Sequence, residues 1–147
     1  MDDKTVEQEI QAKGLTAPRV TPADIEAEIT GGFFFTAADG YSAAPCHDPS
    51  GQPGEALPPP QSLSLLTFCV LTLRNGFTVT GESACASPEN FDAELGRKIA
   101  RQNAVAKVWP LLGFRLRDQL ARQVLSDADA SADLAGEPRP DAGNKEA

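Results

Sequence analysis

The chain reads as an α+β protein: a small antiparallel β-sheet with a central Asn-Gly hairpin, packed against a long C-terminal helix, with a disordered acidic tail. Three observations predict this. Two runs rich in β-branched and apolar residues, Leu66–Leu73 and Phe77–Ser83, flank Asn75-Gly76, the dipeptide favoured in two-residue hairpin turns. Beyond Ser87-Pro88 the pattern changes to helical periodicity, which runs to Trp109. Upstream, Phe33-Phe34-Phe35-Thr36 supplies a further short, strongly β-prone segment.

Taken in order, residues 5–13 read as a short helix ending at Gly14. Thr21-Pro22-Ala23-Asp24 opens a second: Thr21 suits the N-cap, Pro22 the first helical position, and Asp24 and Glu26 the positive end of the dipole. Ile25 and Ile29 give it one apolar edge, and Gly31-Gly32 ends it. The strand Phe33–Thr36 follows, bounded by Asp39-Gly40. Its three phenylalanines point to both faces, and either fill a core or subunit contact or stack on a planar ligand. Residues 1–40 thus form an N-terminal part, residues 41–61 a Pro/Gly-rich loop, residues 62–125 the hairpin-and-helix core, and residues 126–147 the acidic tail.

A two-residue turn pairs Arg74 with Phe77, Thr72 with Val79, Val70 with Gly81 and Phe68 with Ser83. That register places Phe68, Arg74, Phe77 and Ser83 on one mixed aromatic and polar face. Ser87 is read as the N-cap of the long helix, with Asn90 completing an imperfect capping box. On its wheel Phe91, Leu95, Ile99, Ala106 and Trp109 form the apolar stripe. Arg97 and Arg101 lie elsewhere, beside the small residues Ala93 and Ala104, with room for a ligand or another chain. Lys98 and Gln102 fall close to the stripe. Pro110 is expected to end or kink the helix near Trp109, and Phe114–Leu125 to form a last one.

The net charge is −8, yet residues 61–125 hold eight bases against five acids. An acidic protein makes a poor binder of duplex nucleic acid, whose backbone demands many cations. A basic core either solvates a helix surface or receives one compact anion. Three cysteines, with no apolar leader among the first residues, point to reduced thiols and a soluble protein of the host cell cytoplasm. No segment has the length and apolarity of a membrane span.

Gly81-Glu82-Ser83-Ala84-Cys85 invites comparison with a nucleophile elbow, but the final glycine is replaced and a cap, not a helix, follows. The single histidine, in Cys46-His47, has no complementary ligand set, so neither metal nor cofactor is expected. The chain favours binding over catalysis. The residues suited to a doubly charged, nucleotide-sized anion are Phe77 for stacking, Arg97, Arg101, Arg74 and Lys98 for phosphate, and Ser83 and Asn90 as small polar partners.

The phrase NGFTVTGESAC followed by NFDAELG resembles a family of small tailed-phage and prophage proteins of unknown function, with the likeness strongest over residues 66–120. That family is in turn similar to the phage Thoeris anti-defence proteins of the first type. The resemblance implies a non-enzymatic sponge, a dimer or higher homo-oligomer, that sequesters cyclic ADP-ribose-type or cyclic oligonucleotide immune signals without degrading them. It implies an aromatic for stacking, matched in character by Phe77, and helix arginines for pyrophosphate, matched by Arg97 and Arg101. The rival readings are a protein-binding inhibitor of a host defence or replication protein, and a hydrolase using Ser83 or Cys85.

Overall fold

The computed structural model describes residues 2–44, 52, 54 and 57–138. The Cys46-His47 pair, most of the Pro/Gly-rich loop and residues 139–147 lie outside the described residues. The chain divides into two compact units, one formed by Thr21–Trp109 and the other by Met1–Val20 with Pro110–Ala147.

Helix α1 (Asp3–Ala12) belongs to the second unit, and α2 (Pro22–Glu28) opens the first. Its start is a reciprocal capping box: the Asp24 amide donates to Thr21 Oγ1 and the Thr21 amide donates to Asp24 Oδ2, at 3.2 and 2.8 Å. Strand β1 (Ile29–Thr36) begins four residues before the expected strand, so Gly31-Gly32 lies inside it and does not merely end the helix. A register shift between Ile29 and Gly31 makes Thr30 a bulge. Thr36 then caps α3 (Ala37–Ala43) through a second box with Asp39, so Asp39-Gly40 opens a helix where a strand-bounding turn was expected. A short helix α4 (Gln61–Ser64) precedes β2 (Leu66–Leu73) and β3 (Thr78–Ala84). The three strands form one antiparallel sheet in the order β1-β2-β3.

The hairpin is present, but its turn is not the two-residue type. Gly76 N–H donates to the Leu73 carbonyl and Leu73 N–H to the Phe77 carbonyl, both at 2.9 Å. The loop is therefore three residues, a type I turn closed by a bulge at Gly76, whose φ is +84°. Asn75 needs no positive φ, and its Oδ1 instead accepts from Phe77 N–H at 3.0 Å. One added loop residue moves the register by one. Leu71 pairs with Val79, Cys69 with Gly81 and Thr67 with Ser83, while Phe68 stands opposite Glu82. The expected face of Phe68 with Ser83 does not exist, because a one-residue slip sends every β3 side chain to the other side.

The face bearing Thr67, Cys69, Leu71, Leu73, Val79 and Gly81 is buried. It is covered by the first half of α5 (Ala93–Ala135), through Gly96, Ala100, Ala104 and Val108. These buried positions recur every four residues and replace the expected stripe, in which Leu95 and Ile99 are exposed. The reason is close approach. A methyl on Gly81 would overlap the Ala100 carbonyl and the Ala104 amide nitrogen, so the helix backbone rests directly on the strand. The room beside Ala104 is thus filled by the protein's own sheet, whereas Ala93, beside Arg97, stays exposed.

Ser87 precedes only a 3₁₀ turn (Pro88–Asn90) and its side chain makes no capping bond. The α5 cap is Asp92, whose Oδ1 accepts from Leu95 N–H at 2.9 Å. Pro110 neither ends the helix nor separates it from the segment after Phe114. Proline removes one backbone bond, but the Ala-, Leu-, Arg- and Gln-rich turns on both sides are strong helix formers.

In the other unit, Asp2 caps α1, accepting from Thr5 N–H at 2.8 Å, and Arg19 forms a forked ion pair with Glu7 at 2.5 and 2.6 Å. The remainder of α5 belongs here and runs ten residues into the stretch expected to be a disordered tail. Alanines 128, 130, 132 and 135 favour the helix, and Ala132 is buried. Among the described residues no helix is long and apolar enough to cross a membrane.

Candidate functional site

Where β1 turns into α3, a cleft of about 100 Å³ opens at the Thr67 end of the sheet. It is lined by Phe34, Phe35, Thr36, Asp39, Thr67, Phe91, Ala93 and Arg97. Each wall has a local cause. Thr36 ends the strand and caps α3, which turns Asp39 to the cleft. Gly96 lies over Thr67 Oγ1, which brings the first turn of α5 close enough for Arg97 to line the opposite wall. Phe35 packs on Phe68, with ring centroids 5.6 Å apart and planes tilted by 31°.

The electrostatics are uneven. Among the described residues no ion pair or hydrogen bond engages the exposed Arg97. Asp39 carries its charge firmly: bonds from the Thr36 backbone and side chain hold its carboxyl below the ordinary 3.8. Beneath the helix, burial pushes the Cys69 thiol above its ordinary value, with Arg101 pulling the other way.

The residues expected to form one site are dispersed. Arg97 lines the cleft. Arg101, one turn later, is paired with Glu26 at 3.0 Å. Arg74 lies 3.5 Å from the carboxylate of Glu28, whose side chain is only 2 % exposed. Phe77 is exposed beside the hairpin loop. Thr67, at the cleft, lies six residue steps along β2 from Leu73, opposite Phe77, a distance of about 20 Å. Phe77 and Arg97 are therefore not brought together within one copy. Ser83 is half-buried on the helix-covered face opposite Thr67. Asn90 is exposed in the 3₁₀ turn, and Lys98 is exposed on α5.

Sequence reasoning missed Phe91 and Asp39 as cleft residues. Ser87-Pro88 suggests a helix start that puts Phe91 on the core stripe, whereas α5 begins only at Ala93 and Phe91 precedes it. The signal for Asp39 was present in Thr36-Ala37-Ala38-Asp39, a threonine followed three residues later by a carboxylate, which is a cap signature. Of the residues considered as nucleophiles, Cys85 donates its thiol to the Ser87 carbonyl at 3.1 Å. Among the described residues no three or more His, Cys, Asp and Glu side chains gather as a metal site.

Chemically, the cleft combines aromatic faces, a guanidinium without a partner among the described residues, small hydroxyls and the charged carboxylate of Asp39. Pockets that enclose drug-sized ligands span roughly 300–1,000 Å³, so this cleft by itself is too small to enclose one. No curated protein and no solved structure matches the chain. A family model does match over residues 20–120, a span that contains the whole sheet, the cleft and the first half of α5. The chain belongs to the phage protein (N4 Gp49/phage Sf6 gene 66) family.

Proposed function

We propose that this phage-family protein is a non-enzymatic sponge that sequesters a cyclic nucleotide immune signal of the cyclic ADP-ribose or cyclic oligonucleotide type. The observation that carries the reading is Arg97 beside Phe34 and Phe91 in one cleft, while the neighbouring Phe35 turns its ring to Phe68 on the opposite face of the sheet. A guanidinium fork suits phosphate oxygens, and an aromatic face suits a base. The cleft's small volume is consistent with a ligand shared between clefts of a homo-oligomer. Arg97 leads the phosphate contacts in this reading, since Arg101 and Arg74 already have carboxylate partners.

The test is calorimetric titration of the full chain with cyclic ADP-ribose isomers and cyclic oligonucleotides. Arg97→Glu is expected to weaken binding at least about 100-fold, given about 1.5–3 kcal/mol for each hydrogen bond to a charged group. Phe91→Ala is expected to weaken it less. Ligand released by heating should have its original mass. Wild-type protein that binds none of these molecules would sink the sponge reading, and affinity unchanged by Arg97→Glu would sink the site. A chemically altered ligand would favour the hydrolase reading at Ser83 or Cys85.

A protein-binding inhibitor is the second reading, favoured by the exposed rings of Phe33 and Phe35 on β1. Stoichiometric capture of one host protein, with no small molecule released on heating, would select it.

A further inference from the structure

We propose that the outer edge of β1 pairs antiparallel with the same edge of a second copy, across a two-fold axis at Phe33. In an antiparallel ladder successive residues turn their backbone groups to opposite neighbours. The Leu73 N–H bond to the Phe77 carbonyl sets the phase. Leu71, Cys69 and Thr67 therefore bond toward β3, and Thr72, Val70 and Phe68 toward β1. Through the observed register, Phe33 and Phe35 bond to β2, while Gly32, Phe34 and Thr36 turn outward. On the other edge, Thr80 and Glu82 turn outward.

Two sets of bonds agree with this phase. The Thr36 amide is taken by Asp39 Oδ2 at 2.8 Å. The Thr80 carbonyl accepts from Lys107 Nζ at 2.6 Å, and the Glu82 carbonyl from Asn103 Nδ2 at 2.7 Å. Lys107 and Asn103 stand four apart on α5, so the helix that covers the sheet also caps the β3 edge, partly with a charge. Such capping is how sheets avoid pairing with other chains.

The β1 edge has no such protection. Its sequence, ITGGFFFT, contains neither charge nor proline. Among the described residues nothing bonds the outward groups of Gly32 and Phe34. The open window is short: the Thr30 bulge disrupts the strand at one end, and Asp39 occupies the Thr36 amide at the other. One two-fold register satisfies all four free groups within that window. Gly32 stands opposite Phe34 of the second copy, Phe34 opposite its Gly32, and Phe33 faces itself on the axis. Phe33 is 59 % exposed and gains an aromatic neighbour there. The contact is isologous, and because both β3 edges are capped it closes at two copies as a six-stranded sheet.

The occupant is therefore a second copy of this chain. The pairing does not depend on what the cleft binds, although it sets Thr30 of the second copy opposite the cleft residue Thr36. Sedimentation velocity of the full 15.5 kDa chain should show a species of twice that mass. Phe33→Lys should raise the dissociation midpoint at least about tenfold while leaving the far-UV spectrum intact. Phe33→Cys should form an intermolecular disulfide under oxidised glutathione, and Thr78→Cys, at the capped edge, should not. A wild-type monomer at all accessible concentrations would overturn the proposal. So would a dimer that survives Phe33→Lys, or cross-linking through Thr78→Cys in place of Phe33→Cys.

Discussion

Gly76 adopts a positive φ, which closes a three-residue loop and sets the register of β3. Gly81 lies under the α5 backbone with no space for a methyl group. Gly81→Ala must push the helix off the sheet or distort the strand, and neither neighbour is a flexible side-chain end. Overpacking of this kind costs about 1–3 kcal/mol, and backbone on both sides places this case near the upper end. Thermal melting followed by circular dichroism should show a clear loss of stability. A change within the error of the melt would mean that the helix does not rest on Gly81. At this scale much was legible. Gly81 was visible in the sequence as an element of GESAC, but its role was not, because nothing local announces which backbone will lie over a glycine.

At the scale of elements, caps account for most of the boundaries. Thr21 with Asp24 was readable, since both residue types stand at the required spacing. Thr36 with Asp39 carries the same signature and was obscured by the neighbouring Gly40. This second box has a pH dependence with a definite sign. The Asp39 carboxyl is held below its ordinary value in the folded protein, so its stabilisation is complete above pH 3.8 and is lost as pH falls through the folded value. The Thr36 amide resonance should therefore titrate with a midpoint below 3.8, and Asp39→Asn should abolish that titration. A midpoint at or above 3.8 would contradict the capping geometry. In α5, the apolar wheel misled because the helix packs through Gly96, Ala100 and Ala104. Large apolar residues mark a buried face only when there is space for them, and close helix–sheet contact selects the opposite.

For the whole molecule, the asymmetry of the sheet edges matters most. If Asn103 and Lys107 close the β3 edge, then Asn103→Ala with Lys107→Ala leaves the Thr80 and Glu82 carbonyls open to another strand. The double variant should form concentration-dependent species larger than a dimer, visible by light scattering, while the monomer fold is retained. A size distribution identical to wild type would show that the two side chains do not guard the edge. The candidate site belongs to the same scale. Its cleft draws on β1, β2, α3, the residue after the 3₁₀ turn and α5, whereas helix spacing and proximity to a turn relate the arginines only along the chain. Arg101 and Arg74 have carboxylate partners 75 and 46 residues away, Glu26 and Glu28, which no spacing rule connects.

The sequence by itself determined the α+β class, the hairpin, the long helix, the Thr21 cap of α2 and membership of a distinctive phage family, because periodicity, turn chemistry and motif are local. Tertiary structure alone decided the register, the face of α5 that is buried, the pairing of the arginines and the cleft at Arg97. Those depend on contacts between distant segments, where one loop residue inverts a strand and one missing side chain admits a helix.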